Sequence, residues 1–181
     1  MVDAGGGNGI FRQMRRAAIA PEQVHHLFVT HCHTDHIMGV IWVIRKIAPM
    51  IHKGRYQGKL TIYCHDEAEH ALRTMCNLMM PGKITSVIDD GIILRQVRHG
   101  EQFSVDDMLY KDCAQFNPYE KHHSTALDAG RMAQELGVKH LVLYHTEDTH
   151  LSTRSLTYTA EAARNYTGPI YVPDDIETVN L

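Results

Sequence analysis

The sequence lacks several features that would assign a protein class at once. None of its four cysteines forms a C-x-x-C pair, and cysteine is too sparse for a disulfide-stapled secreted domain. There is no apolar run of 18 residues and no basic-then-apolar leader, so we expect neither a membrane-spanning helix nor a signal peptide. Internal repeats and low-complexity tracts are also missing. These absences predict a globular protein of the reducing cytoplasm.

A strong basic balance is missing as well. The 181 residues carry a formal net charge of -3, which argues against a dedicated polyanion binder. The charge is uneven, however, because residues 1–60 hold 8 basic and 3 acidic side chains while the rest hold 10 and 18. This asymmetry indicates either differently solvated faces or a basic rim near an anionic substrate. The length suits one domain spanning residues 1–181.

Short strands and helices alternate along the chain, which predicts an α/β sandwich. Apolar runs, caps and breakers place the helices at 10–20, 37–48, 66–80, 125–137 and 153–166. The strands are predicted at 26–30, at 60–64, within 84–98 on either side of a turn at Asp89-Asp90-Gly91, and at 102–105, 141–144 and 170–172. Within the second helix, we expect Trp42, Val43 and Ile44 to belong to the core.

Histidine is abundant, and its placement is informative. His31, His33, Asp35 and His36 lie within six residues, directly after a predicted strand. Imidazoles and a carboxylate suit borderline metals such as zinc. Extended chain after a strand lets alternate side chains converge on one point. The alternative, a polar loop with fortuitous histidines, leaves this density without a rationale.

These residues also carry a family resemblance. Thr30-His31-Cys32-His33-Thr34-Asp35-His36 resembles the H-x-H-x-D-H signature of the metallo-β-lactamase superfamily. Asp3-Ala4-Gly5-Gly6 resembles its Asp-Gly turn, and Leu143-Tyr144-His145 its last histidine motif. His123-Ser124-Thr125, followed by a helix, is similar to the ribonuclease Z-like, phosphodiesterase-like branch. The resemblance implies an αββα metallo-β-lactamase-like sandwich, here reduced in size.

The resemblance also implies a site with two divalent metal ions. His31 and His33 would bind the first ion, and Asp35, His36 and His145 the second. Zinc is the expected metal, with manganese or iron as alternatives. A bound ion lowers the pKa of water to about 7, which provides a nucleophile at neutral pH. Asp35 would help orient that nucleophile, and His123 would assist the leaving group as a general acid.

Two departures from the family pattern are visible. The chain before the Asp-Gly turn is short, and a stretch with a histidine and a bridging aspartate is missing around residues 110–115. Residues that could stand in for the two missing ligands are Asp106, Asp107, Asp112, Cys113, His99 and His122. Spacing does not choose among them. The remaining histidines, His65 among them, are interpreted as structural or surface residues.

The function predicted from these observations is metal-dependent hydrolysis of a small anionic phosphodiester, such as a cyclic nucleotide or an aryl diester. Nucleic acid is not expected as a partner. Because missing strands expose sheet edges, we expect a homo-oligomer, most simply a dimer. The alternatives are a tRNA 3′-processing endonuclease, a lactone or β-lactam hydrolase, and a metal-binding oligomeric remnant with little catalysis.

Overall fold

The computed structural model describes residues 1–98, 101–105, 108–111, 124–146 and 151–181. The chain divides into two compact units, Met1–Asp112 and Cys113–Leu181. Within the described ranges, none of the helices is long and apolar enough to cross a membrane. One domain over residues 1–181 stays a prediction.

The first unit is built on a parallel sheet of three strands, β1 (His26–Phe28), β2 (Leu60–Cys64) and β3 (Ile92–Gln96), in the order β1-β2-β3. Leu27 of β1 lies opposite Ile62 of β2, and both are fully buried. The start of the chain runs parallel to β1, where the Asp3 N–H donates to the Phe28 carbonyl at 2.7 Å. This pairing brings Asp3 to the carboxyl end of the first strand.

Among the described residues of the first unit, four α-helices, a short 3-10 helix (Pro21–Gln23) and a hairpin accompany the sheet. The helices are α1 (Ile10–Arg16), α2 (Thr34–His52), α3 (Asp66–Met79) and α4 (Gly82–Thr85), and the antiparallel hairpin is β4 (Gln102–Val105) with β5 (Met108–Lys111). Along α2, buried residues such as Val40, Ile44 and Ile47 recur at intervals of three and four. They join the buried residues of the sheet in one apolar cluster, as expected for an amphipathic helix covering a sheet.

The second unit contains α5 (Ala126–Leu136), β6 (Leu141–Val142), α6 (Arg154–Ala162) and β7 (Ile170–Tyr171), with β6 and β7 parallel. The predicted start of α5 is confirmed, because the Thr125 hydroxyl oxygen accepts from the Asp128 N–H at 3.1 Å. Its predicted end is confirmed too, because Gly137 takes a left-handed φ of 61°.

Several predicted boundaries were wrong. Helix α2 starts at Thr34 rather than 37, so Asp35 and His36 belong to a helix, and it continues through Pro49 to His52. Packing outweighs the single hydrogen bond that a proline removes near the helix end. Helix α1 stops at Arg16.

Two further predictions on the first unit were wrong. Residues 84–88 do not form a strand, because α4 and the residues that follow it occupy that stretch, whereas the predicted turn at Asp89-Asp90-Gly91 is confirmed, with Asp89 at a left-handed φ of 72°. Trp42 is 39% exposed instead of buried, since it projects beside the apolar face that Val43 and Ile44 occupy.

Candidate metal centre

The first unit gathers four predicted ligands beyond the carboxyl end of β1. They are His31 and His33 in the segment after the strand, and Asp35 and His36 in the first turn of α2, here called the histidine cluster. The His31 ring centroid lies 4.5 Å from that of His33 and 3.9 Å from that of His36. His31 and His36 are buried, at 7% and 4% exposed, which is uncommon for polar side chains without a structural or ligand-binding role.

Asp3 orients His36 within this cluster. The His36 Nδ1–H donates to Asp3 Oδ2 at 2.7 Å, because an ionised carboxylate only accepts. Thr30 fixes the carboxylate by donating its backbone N–H to Oδ1 and its hydroxyl to Oδ2, each at 2.8 Å. The other nitrogen of the ring, Nε2, is on the side away from Asp3 and lies 3.5 Å from Asp35 Oδ2. Metal-binding histidines in proteins are commonly oriented by such a carboxylate.

The residues present fit a divalent metal. The imidazole nitrogens of His31, His33 and His36 and the carboxylate of Asp35 are borderline to hard donors, the type that zinc and manganese accept. The bond from Asp3 sets His36 in the tautomer whose Nε2 can act as a ligand. Asp3 itself holds a left-handed φ of 49°, a costly conformation that the surrounding hydrogen bonds stabilise.

The turn that carries Asp3 approaches α2 at Gly39. The Gly39 N–H donates to the Gly5 carbonyl at 2.7 Å, and a Cβ at Gly39 would lie 1.8 Å from the Ala4 carbonyl oxygen. Only glycine allows this approach between helix and turn. The position of Asp3 relative to His36 thus depends on a residue without a side chain.

We expect Gly39→Ala to lower the free energy of unfolding by about 1–3 kcal/mol, the usual cost of overpacking. Alanine is more favourable than glycine in a helix by only about 1 kcal/mol. The steric overlap therefore outweighs this gain, and the net change in the free energy of unfolding is a decrease. Urea denaturation is the measurement. Gly7→Ala is the control, since nothing lies within 4 Å of its added Cβ. Equal stability of the two variants would disprove the close approach.

We expect Asp3→Asn to lower metal affinity about 10- to 100-fold, as loss of an orienting carboxylate does elsewhere. The amide nitrogen would face His36 Nδ1 as a donor, which moves the ring proton to Nε2 and removes the ligand lone pair. Competition with a chromophoric chelator measures the affinity. Asp90→Asn, in an exposed turn, is the control and should bind like the unmodified protein. Unchanged affinity in Asp3→Asn would refute the orienting role.

The other predicted site residues belong to the second unit or fall outside the described residues. His145 belongs to the second unit, shortly after β6, and takes a left-handed φ of 58°. His123 lies outside the described residues, as do Asp106, Asp107, Asp112, Cys113, His99 and His122. Within the histidine cluster, the ligand assignment stays a prediction.

A basic, aromatic groove is a second feature of the first unit that sequence reasoning missed. Its volume is about 550 Å³, and its lining includes Arg12 and Arg15 of α1, Phe11, and Trp42 of α2. Asn8 and Gly9 complete the lining. Asn8 and Gly9 belong to a loop that also contains Gly6. Gly6 lies against the histidine cluster, since a Cβ added to it would be 3.5 Å from the Asp35 Cα. The groove and the cluster are thus joined by one short loop.

Comparison with known families agrees with this geometry. The family model described as the metallo-beta-lactamase superfamily matches residues 1–101, which include the Asp3 turn and the histidine cluster. The chain belongs to this superfamily. The resemblance inferred from the H-x-H-x-D-H signature is thereby confirmed.

Curated relatives of this superfamily member are ribonucleases. Ribonuclease Z from Myxococcus xanthus is 38% identical over 77 residues, which are 42% of this chain and 25% of the relative. Ribonuclease Z from Methanothermobacter thermautotrophicus is 35% identical over 101 residues, 56% of this chain and 30% of the relative. The matched segments thus span less than a third of these relatives' own length.

A solved structure supports the predicted fold class. The metallo-beta-lactamase fold protein YhfI from Bacillus subtilis aligns with a TM-score of 0.55, covering 96% of this chain and 84% of its own, at 15% identity. At this identity the likeness shows the fold alone. The α/β fold of metallo-β-lactamase type is confirmed.

Proposed function

We propose that this superfamily member is a metal-dependent hydrolase that cleaves phosphodiester bonds in RNA. The observation that carries the proposal is the hydrogen bond of 2.7 Å from His36 to Asp3, beside a His31 ring 3.9 Å away. This hydrogen bond holds the His36 ring in place, so that several candidate metal ligands have one fixed arrangement. The relatives named ribonuclease Z favour RNA over the small phosphodiesters expected from the family resemblance, although the net charge of -3 had argued against RNA.

The residues of the histidine cluster have two proposed roles, metal binding and orientation of the attacking water. His31 and His33 would hold the first metal ion and His36 the second, with Asp3 and Thr30 fixing the His36 ring. A bound divalent ion activates water and polarises a phosphoryl oxygen. Asp35, whose side chain is 57% exposed, can accept a hydrogen bond from an attacking water and orient it.

The basic, aromatic groove supports RNA as the substrate. Arg12 and Arg15 are exposed guanidinium groups, which bind phosphates, and the exposed Trp42 ring offers a face on which a base stacks. Local charge matters more than net charge for such contacts. The excess of basic residues over residues 1–60 is consistent with an anionic ligand on this unit.

The deciding experiment compares two substrates. Metal-loaded protein is incubated with a tRNA precursor carrying a 3′ extension and, separately, with an aryl phosphodiester. The proposal predicts chelator-sensitive cleavage of the RNA. Cleavage of the aryl diester alone would show that a small phosphodiester, and not RNA, is the substrate class. Cleavage of neither would contradict the proposal and favour a metal-binding protein with little catalysis.

We expect Arg12→Ala combined with Arg15→Ala to weaken RNA binding and to flatten its salt dependence. Each lost phosphate contact reduces the slope of log affinity against log salt by about 0.7 for single strands, so the double variant should lose about 1.4. Fluorescence anisotropy at several salt concentrations is the measurement. Arg55→Ala with Lys59→Ala removes the same charge from exposed positions outside the groove and should keep the slope. Identical slopes in both double variants would exclude the groove as a phosphate-binding surface.

Five further predictions from the sequence remain part of the proposal. His145 as a ligand and His123 as a general acid rest on the family resemblance. Two zinc ions are the proposed metal content of the site that contains the histidine cluster. A homodimer remains the proposed assembly, which light scattering tests. The cytoplasm remains the proposed compartment, supported by free thiols at Cys32, Cys64 and Cys76 among the described cysteines.

A further inference from the structure

Three side chains of different ligand chemistry meet on the first unit beside the histidine cluster. The Cys32 sulfur, a His65 ring nitrogen and a Glu67 carboxylate oxygen all lie within 4.8 Å of one another. Cys32 belongs to the segment after β1, whereas His65 and Glu67 stand at the junction of β2 and α3. Two chain segments therefore bring a sulfur, a nitrogen and an oxygen donor together.

The surroundings of these three donors favour a cation. Asp66 adds a second carboxylate, with its Oδ1 3.8 Å from His65 Nδ1. The carboxylates of Glu67 and Asp66 place negative charge beside the Cys32 sulfur and the His65 ring, and this charge stabilises a bound cation.

The donors are also accessible. Cys32 and His65 are half-buried, and Glu67 is exposed, so an ion can reach them from solvent. Cys64 and Cys76 differ, since both are buried in the core, at 1% and 0% exposed. Among these three described cysteines, Cys32 is therefore the thiol suited to a metal.

We propose that Cys32, His65 and Glu67 bind a zinc ion at a site separate from the histidine cluster. Sulfur, nitrogen and carboxylate oxygen are the donors that zinc uses, at bonds of about 2.0–2.3 Å. Donor atoms around a tetrahedral zinc ion are roughly 3.3–3.8 Å apart. The distances between the three donor atoms would therefore shorten by up to about 1 Å on binding. Glu67, exposed in the first turn of α3, has the freedom to make that movement. The ion ties the segment that carries His31 and His33 to the start of α3.

Cobalt(II) distinguishes this site from the histidine cluster, because only a thiolate ligand gives an intense sulfur-to-cobalt charge-transfer band in the near ultraviolet. Cobalt is titrated into metal-free protein under reducing conditions. We expect the unmodified chain to develop the band and Cys32→Ser to lose it. The visible ligand-field bands from nitrogen and oxygen ligands should persist in Cys32→Ser, which shows that this variant is folded.

Further variants keep the proposal falsifiable if Cys32→Ser fails to fold. Glu67→Gln, at an exposed position, should weaken the cobalt affinity read from the band about tenfold, and Glu22→Gln should not. Cys76→Ser and Cys113→Ser should retain the band. Absence of the band in the unmodified chain, its survival in Cys32→Ser, or its loss in Cys113→Ser would each overturn the proposal. None of these outcomes depends on whether the chain cleaves RNA.

Discussion

Asp35→Ala is expected to reduce turnover of a 3′-extended RNA by about three orders of magnitude while the fold is kept. Orientation of a nucleophile and support of a metal are together worth several kcal/mol of transition-state stabilisation, and about 4 kcal/mol corresponds to about 10³-fold in rate. Asp35 is exposed in the first turn of α2, so its removal leaves no cavity in the core. The rate constant under saturating RNA is the measurement, and circular dichroism monitors the fold.

The control for this prediction is Asp175→Ala, which removes a carboxylate from another exposed position. It should cleave at the rate of the unmodified protein. If Asp35→Ala keeps more than about a tenth of the rate, a loss of only about 1.4 kcal/mol, Asp35 has no central role in the reaction.

His33→Ala combined with His36→Ala is expected to remove tightly bound metal from the histidine cluster. Two imidazole ligands are lost, and the remaining residues cannot fill a tetrahedral shell by themselves. The measurement is elemental analysis after dialysis, performed in a Cys32→Ser background so that metal at the second proposed site does not contribute. We expect at most a small fraction of the metal held by the Cys32→Ser parent.

The matched control replaces two exposed histidines outside the cluster, His52→Ala with His70→Ala, in the same background. Metal content should equal that of the parent. If instead both double variants lose metal to the same extent, the ions are held by histidines in general and the cluster is not their site.

The density of the H-x-H-x-D-H motif made the histidine cluster predictable from sequence, because all four residues lie within six positions of one another. The contact that orients the His36 ring within the cluster was not predictable from the sequence. Asp3 and His36 are 33 residues apart, and only the pairing of the chain start with β1 brings the carboxylate to the ring. A long-range contact of this kind has no local periodicity.

The groove and the three-donor site were missed for a related reason. Trp42 lies within an apolar run, and helical periodicity alone did not separate its exposed position from those of Val43 and Ile44. His65 looked like an ordinary polar residue after a strand, because its partner Cys32 lies in another segment. By contrast, α5 was predicted at both ends, since its Thr125 cap and its Gly137 stop are local signals.

Anomalous diffraction from crystals of the zinc-loaded protein tests most directly whether the histidine cluster is a metal centre. We expect a strong peak at the zinc edge within about 2.0–2.1 Å of imidazole nitrogens of His31 and His33. His36 should keep its Nδ1 on Asp3 and present Nε2 toward the metal. A fully zinc-loaded crystal with no anomalous peak at these histidines would show that the histidine cluster is not a metal centre.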